Sequence, residues 1–190
     1  MRERKFMTNA TDTFHEAVKK GIMTTDEALA LYDQLDVVEL DFMLGRWHGS
    51  GFPTHHRMDG ILEAYGWYGK EFKDADHVDP MLFKHGNRIV RVNPERIPLW
   101  MLTADFPPPK SDFAGSCFKA IIPLIKTHKY KARMRMTKYR GKVSATMIYN
   151  GLPINDVFRK VDENTLLGIM DLPNMKQPYF FVLHREAVRK

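Results

Sequence analysis

The stretch Gly45–Phe52, "GRWHGSGF", decides how the rest of the chain is interpreted. It carries Gly45, Gly49 and Gly51 at positions of one parity, and Trp47 takes the remaining position of that parity. Side chains alternate between the two faces of a strand, so these four residues share one face. Glycine inside a strand marks a bend, a bulge or the close approach of another group. We therefore expect a strand in which one face carries a single large residue and leaves space beside it.

Length and composition indicate a single globular domain, or one domain with a short appendage. The chain has 190 residues, of which 44% are hydrophobic and 12% aromatic, enough for a sizeable core. No apolar run approaches the roughly 18 residues of a membrane span, and the N-terminus lacks the apolar core of a secretory signal. Cys117 is the only cysteine, which excludes an internal disulfide and a cysteine-based zinc cluster. We expect a cytoplasmic protein without a membrane span.

Charge is distributed unevenly along the chain. Residues 1–43 contain five Lys/Arg and nine Asp/Glu, a net charge of −4, so the remainder supplies +10 of the total of +6. Residues 113–155 contain no acidic residue. The basic residues of this segment are Lys119, Lys126, Lys129, Lys131, Arg133, Arg135, Lys138, Arg140 and Lys142. Aromatic residues are sparse among them and no nucleic-acid motif is present, so we expect a solvated hairpin face and no nucleic-acid partner.

The chain divides into a helical segment, residues 1–43, and a strand-rich domain, residues 44–190. In the first segment Thr24 and Glu27 form the capping-box pattern that begins an amphipathic helix, and two or three helices are expected. The domain has a first half, 44–105, and a second half, 115–190, separated by a proline-rich loop.

About eight strands are expected at short, regular spacing. The candidates are 45–51, 61–72, 81–85, 88–92, 130–139, 142–150, 154–161, 165–171 and 178–186. No strand–helix–strand alternation is present, so a parallel sheet is disfavoured. The predicted fold is mainly β, an antiparallel barrel preceded by helices.

The motif at residues 45–49 resembles the one that gives the GXWXG family its name. The stretch 59–83 is similar to the rest of that domain, and residues 139–171 and 179–185 resemble the domain of unknown function that usually follows it. The resemblance extends to calycins, the group of lipocalins, fatty-acid-binding proteins and nitrobindins. It implies a calycin-like barrel in which Arg185 of the last strand packs on Trp47 of the first. Gly45, Gly49, Trp47 and Arg185 are accordingly assigned structural roles.

A calycin-like barrel of about eight strands either is filled by side chains or holds one small ligand. The residues predicted to contact such a ligand are Trp67, Lys70, Met147, Tyr149, Asp156, Phe158 and Phe181. Asp156 and Arg159 are three positions apart, which places them on opposite faces of a regular strand. Asp156 is then expected inside, either in a structural network or in contact with ligand.

No cofactor and no metal site are predicted. The histidines of residues 48–56 have no carboxylates at metal-ligand spacing. Nitrobindins bind haem through a histidine near the C-terminus, and His184 is the candidate that this resemblance offers. However, strand alternation puts His184 on the face opposite Arg185, and therefore outside the barrel.

Three functions remain open at this point. The first is binding of a small hydrophobic or amphipathic ligand, for which the basic segment would favour an anionic head group. The second is an enzyme, such as a cyclase or isomerase acting on a hydrophobic natural product, in which orientation supplies much of the acceleration. The third is a filled barrel that acts as an interaction module. A homodimer is compatible with all three.

Overall fold

The computed structural model of the protein describes residues 9–98 and 109–187. The helices in these ranges are α1 (Ala10–Lys20), α2 (Thr25–Gln34), α3 (Leu40–Met43), α4 (Ile61–Ala64), a 3-10 turn (Pro94–Arg96) and α5 (Asp112–Ile125). The capping box at the start of α2 is present: the Glu27 backbone N–H donates to the Thr24 hydroxyl at 3.3 Å, and the Thr24 N–H donates to the Glu27 carboxylate at 2.9 Å. This reciprocal pairing satisfies donors that a helix start otherwise leaves free.

Nine strands form one antiparallel sheet. They are β1 (Gly45–Gly51), β2 (Trp67–Phe72), β3 (Val78–His85), β4 (Arg88–Arg91), β5 (Ala132–Tyr139), β6 (Lys142–Tyr149), β7 (Asn155–Asp162), β8 (Thr165–Asp171) and β9 (Tyr179–Arg185). Their order is β2-β1-β9-β8-β7-β6-β5-β3-β4, and a further pairing between β2 and β3 closes eight of them into a barrel. Strand β4 is an extra strand paired to β3. The prediction of a mainly β antiparallel barrel preceded by helices is confirmed.

Two segments differ from the sequence prediction. The expected strand 61–72 begins only at Trp67, because residues 61–64 form α4 between Gly60 and Gly66, which both adopt left-handed backbone angles (φ +80° and +72°). Helix α5 was not predicted, although Ser111 caps it by accepting the Ala114 N–H at 3.2 Å. The prolines that precede this helix are typical of a loop, and they led to the prediction of a loop there. Residues 105–108 of that predicted loop lie outside the described residues.

The barrel wall separates two packed regions. Inside the barrel lies a core that includes Trp47, Phe72 and Phe158. Outside, helices α1 and α2 pack on the outward side chains of the wall, a region that we call the outer layer. Its main members are Phe14, Ala17, Leu31, Tyr32, Phe52, Leu167, Phe180 and Val182. Strands β8 and β9 are therefore buried on both faces, which explains why neither alternates between apolar and charged residues.

Candidate functional site

One end of the barrel is closed around Trp47. The indole is fully buried and its Nε1–H donates to the Met43 carbonyl at 2.7 Å. The Arg185 guanidinium lies over the indole, 4.2 Å from the ring centroid, and donates to the carbonyls of Phe42 at 2.7 Å and Leu44 at 3.1 Å. These contacts tie α3 to the first and last strands. Their arrangement is consistent with the structural roles assigned to Trp47 and Arg185.

The space beside Gly49 is occupied by an aromatic ring of the protein itself. A Cβ on Gly49 would lie 2.0 Å from the edge of the Trp67 indole, closer than any real contact. Gly168 on β8 gives the same room to Phe181, whose ring would lie 2.5 Å from an added Cβ. Glycine at these positions leaves room for the edges of two aromatic rings against the inner wall.

The rings of Trp67 and Phe181 flank a buried ion pair between β2 and β7. The Lys70 ammonium lies 2.7 Å from a carboxylate oxygen of Asp156, and both side chains are 3% exposed. The ammonium also donates to the Pro80 carbonyl at 3.2 Å. Burying two charges costs desolvation free energy. Their mutual attraction offsets that cost only when the geometry is good and the remaining polar atoms are hydrogen-bonded.

Three aromatic rings surround the Lys70 ammonium. Its nitrogen lies 5.1 Å from the ring centroid of Phe181, 5.5 Å from that of Trp67 and 5.7 Å from that of Tyr149. These distances fall within the range at which a cation is attracted to a ring face. The charge is thus stabilised by a carboxylate on one side and by aromatic faces on the others.

Burial governs the protonation of the groups around the ion pair. It raises the pKa of Asp156, an effect that the adjacent Lys70 ammonium opposes. Burial likewise raises the pKa of the Tyr149 and Tyr179 hydroxyls well above the usual value for tyrosine. Both tyrosines therefore remain protonated at neutral pH and can donate hydrogen bonds.

A cavity of about 100 Å³, which we call the inner chamber, adjoins the ion pair. It is bordered by Trp67, Lys70, Tyr149, Asp156, Tyr179 and Phe181, together with the apolar residues Met58, Leu62, Met81, Pro94, Ile97, Leu152, Ile154 and Met170. Within the described part of the chain, two residues of this lining each have a buried side-chain polar atom without a hydrogen-bond partner. These are the Trp67 Nε1 and the Tyr179 hydroxyl.

A larger cavity of about 630 Å³, the outer chamber, adjoins the inner one. The two share Met58, Leu62, Met81 and Ile97 as lining residues. Helix α5 forms part of its wall, and Phe118 of that helix packs on Tyr65 and Phe83 with ring centroids 5.0 Å apart in each case. Cavities of this size are typical of small-molecule sites, which usually span about 300–1,000 Å³.

The structure brings together five of the seven predicted ligand-contacting residues. Trp67, Lys70, Tyr149, Asp156 and Phe181 line the inner chamber. The other two, Met147 and Phe158, are fully buried in the core and do not belong to the lining of either chamber. Strand parity gives the face of a residue but not its depth in the barrel, and the contact of these two residues with a ligand stays a prediction.

Tyr179 is the main polar residue that the sequence reasoning did not select. It shares the parity of Phe181, and that signal was sufficient to place it inside. The imidazole of His56 packs against the Tyr179 ring, with ring centroids 5.2 Å apart. The Nδ1 of His56 accepts the Met58 N–H at 3.1 Å, and burial lowers the pKa of His56 to about 4. His56 is therefore neutral at physiological pH.

Two charged or titratable residues, one on β7 and one on β9, face away from the barrel interior. Arg159 lies in the outer layer, 4.8 Å from the Tyr32 ring centroid, while Asp156 faces inward, as alternation requires. His184 is exposed on the outer face. No helix among residues 9–98 and 109–187 is long and apolar enough to cross a membrane.

Comparison with known proteins agrees with this architecture. Residues 30–87 match the family described as GXWXG protein, and residues 130–185 match the domain of unknown function DUF4334. A crystal structure of a protein from Thermomonospora curvata is similar at 30% sequence identity and a TM-score of 0.68, covering 95% of this chain and 100% of that one. No curated protein matches the chain.

The fold and its interior define a class: a closed antiparallel barrel with a polar cluster inside a mainly apolar cavity. Within that class, the two matched domains occur in the order predicted from the sequence and the similarity to the solved structure extends over almost the whole chain. The chain belongs to the GXWXG family with a C-terminal DUF4334 domain.

Proposed function

We propose that this protein binds a small, mainly apolar molecule in the two adjoining chambers. The outer chamber would hold the apolar body of the ligand, and the inner chamber would hold a polar group beside Lys70. Ligand pockets typically combine an apolar lining with a few polar groups that fix orientation. The lining residues of these chambers have that composition.

The observation that carries the proposal is the pair of unpartnered polar groups in the inner chamber. Trp67 Nε1 and the Tyr179 hydroxyl are buried without an acceptor in the described residues. A buried polar group without a partner costs about 1–3 kcal/mol, so native proteins rarely keep one without a reason. A ligand that supplies the missing partner is such a reason.

Binding is favoured over catalysis by the state of Asp156. Its carboxylate is held by Lys70 at 2.7 Å and is 3% exposed. An acid–base reaction needs a group that can reach a reacting proton, whereas this carboxylate is engaged in an ion pair. We therefore restrict the proposal to binding and do not extend it to the cyclase or isomerase considered from the sequence.

Blocking the inner chamber tests the proposal. The probe is the uncharged apolar fluorophore N-phenylnaphthylamine, titrated into the full-length protein while its emission is recorded. Leu152 lines the chamber, so Leu152→Trp should fill it and weaken binding by about tenfold or more. Val143→Trp on β6 is the matched control, because Val143 is 50% exposed and should leave binding unchanged.

Saturable binding that Leu152→Trp removes and Val143→Trp preserves would support a ligand-binding barrel. Equal binding by all three proteins would place the probe elsewhere on the surface. Absence of binding to the unmodified protein would contradict the proposal.

A further inference from the structure

The two groups of the inner-chamber residues that lack partners can each donate a hydrogen bond. Trp67 Nε1 is a donor only, and the Tyr179 hydroxyl is a donor because burial keeps it protonated. The side chains are buried, with exposed fractions of 7% and 3%. Trp67 Nε1 therefore requires a hydrogen-bond acceptor, and the Tyr179 hydroxyl can donate to an acceptor as well.

Lys70 adds a third donor to the same chamber. An ammonium has three N–H groups, and the acceptors on Asp156 and Pro80 account for two of them. Aromatic rings flank the remaining direction at 5.1–5.7 Å. Two acceptors for three N–H groups leave one Lys70 donor without an acceptor among the described residues.

The charge of the chamber excludes an anion as the best occupant. The Lys70 ammonium is already matched by Asp156, so the polar cluster is electrically neutral as a unit. A carboxylate ligand would bring an unmatched negative charge into a mainly apolar space, which is unfavourable. None of the basic residues of the segment 119–142 belongs to the lining of either chamber. Arg96 lines the outer chamber, where its guanidinium donates to the Leu124 carbonyl, and Lys70 is the one basic residue among the described residues that line the inner chamber.

We propose that the ligand carries an uncharged oxygen acceptor, such as a ketone or ester carbonyl, which receives hydrogen bonds from Trp67 and Tyr179. This inference rests on the proposed binding function and narrows its ligand class. It replaces the anionic head group expected from the basic segment. An uncharged carbonyl accepts through two lone pairs and leaves the Lys70–Asp156 pair intact.

Three probes of equal chain length separate the alternatives: methyl heptyl ketone, nonanoate and nonane. Each is used to displace N-phenylnaphthylamine from the full-length protein at neutral pH. The ketone should bind about tenfold more tightly than either of the others, because only it matches the free donors without adding charge. Nonanoate and nonane control for charge and for apolar burial respectively.

The variant Tyr179→Phe tests whether the Tyr179 hydroxyl is the hydrogen-bond donor that favours the ketone. It should weaken ketone binding several-fold and leave nonane binding unchanged. The matched control Tyr32→Phe removes a hydroxyl of the outer layer, which donates to the Val157 carbonyl at 3.0 Å, and should change neither. Ketone binding that is lost in Tyr179→Phe alone supports the inference.

The outcomes distinguish the two proposals. Nonanoate binding as tightly as the ketone, or ketone binding that survives in Tyr179→Phe, would overturn the uncharged-acceptor inference while leaving the binding function in place. If the fluorophore and all three probes fail to bind, both proposals are wrong.

Discussion

The inner chamber and the outer layer lie on opposite faces of the same barrel wall, yet they treat buried polar groups differently. In the outer layer, the Tyr32 hydroxyl donates to Val157, and Arg159 donates to the carbonyls of Phe158 and Tyr139 at 3.2 and 3.0 Å. In the inner chamber, Trp67 Nε1 and the Tyr179 hydroxyl have no partner among the described residues.

The difference concerns how completely each face pairs its buried polar groups. The outer layer mostly follows the rule that buried polar groups are paired, with the Arg159 Nε as an exception. The inner chamber departs from the rule at the place where the wall encloses a cavity. Departures of this kind are expected at functional sites, where stability is given up for binding.

The largest effect is expected from breaking the ion pair that borders the chamber. Asp156→Asn leaves the Lys70 ammonium buried without a counter-charge, and removing one member of a buried pair costs about 3–5 kcal/mol. The free energy of unfolding measured in urea should fall by that amount. The double variant Lys70→Met/Asp156→Leu should recover most of the loss, because it leaves no unpaired charge.

A surface ion pair provides the control for this experiment. Arg135 and Asp76 are 2.7 Å apart but 49% and 65% exposed, so Asp76→Asn should change the unfolding free energy by about 0–1 kcal/mol. A similar small loss in Asp156→Asn would mean that the inner pair is solvated and that the chamber is not a low-dielectric site.

An intermediate effect is expected from the wall glycine under Trp67. In Gly49→Ala the new Cβ would lie 2.0 Å from the indole, so the ring must move, and overpacking of this kind costs about 1–3 kcal/mol. Binding of N-phenylnaphthylamine should weaken as well, since the ring lines the chamber. Both quantities can be measured on one preparation.

Gly51→Ala on the same strand is the matched control for Gly49→Ala. There the nearest atom is a Glu63 carboxylate oxygen at 3.0 Å. This oxygen accepts the Gly51 N–H at 2.7 Å and lies at the end of a side chain that can shift, so the unfolding free energy should change by less than about 1 kcal/mol. Equal effects at both positions would show that the Trp67 ring is not fixed by the wall.

Much of this architecture was accessible from the sequence because it depends on local periodicity. The capping box at Thr24 and the strand spacing predicted the helices and the barrel, and parity placed Asp156 inward. Helix α4 and helix α5 were missed because the glycines and prolines around them resemble loop signals.

The candidate site was only partly predictable. Strand alternation assigns a residue to a face, which was enough for Asp156. It was not enough for Lys70, which lies inside together with Trp67, three positions away, because the register of β2 shifts around Gly69. Strand alternation does not give depth: Met147 and Phe158 lie in the packed core, outside the lining of both chambers. The pairing of Lys70 with Asp156 joins strands β2 and β7, which are distant in sequence, and only tertiary structure reveals it.

The central claim is that the inner chamber keeps unpartnered donors for a ligand, and one pair of identical substitutions tests it directly. The measurement is the thermal unfolding of Tyr179→Phe and Tyr32→Phe without added ligand. Tyr179→Phe removes a buried hydroxyl that has no partner, so it should stabilise the protein by about 1 kcal/mol, an increase of roughly 2–4 °C in Tm. Tyr32→Phe removes a hydroxyl that donates to Val157 and should lower Tm by a similar amount. A fall in Tm for Tyr179→Phe equal to that for Tyr32→Phe would show that the Tyr179 hydroxyl is a satisfied structural group, and would contradict the account.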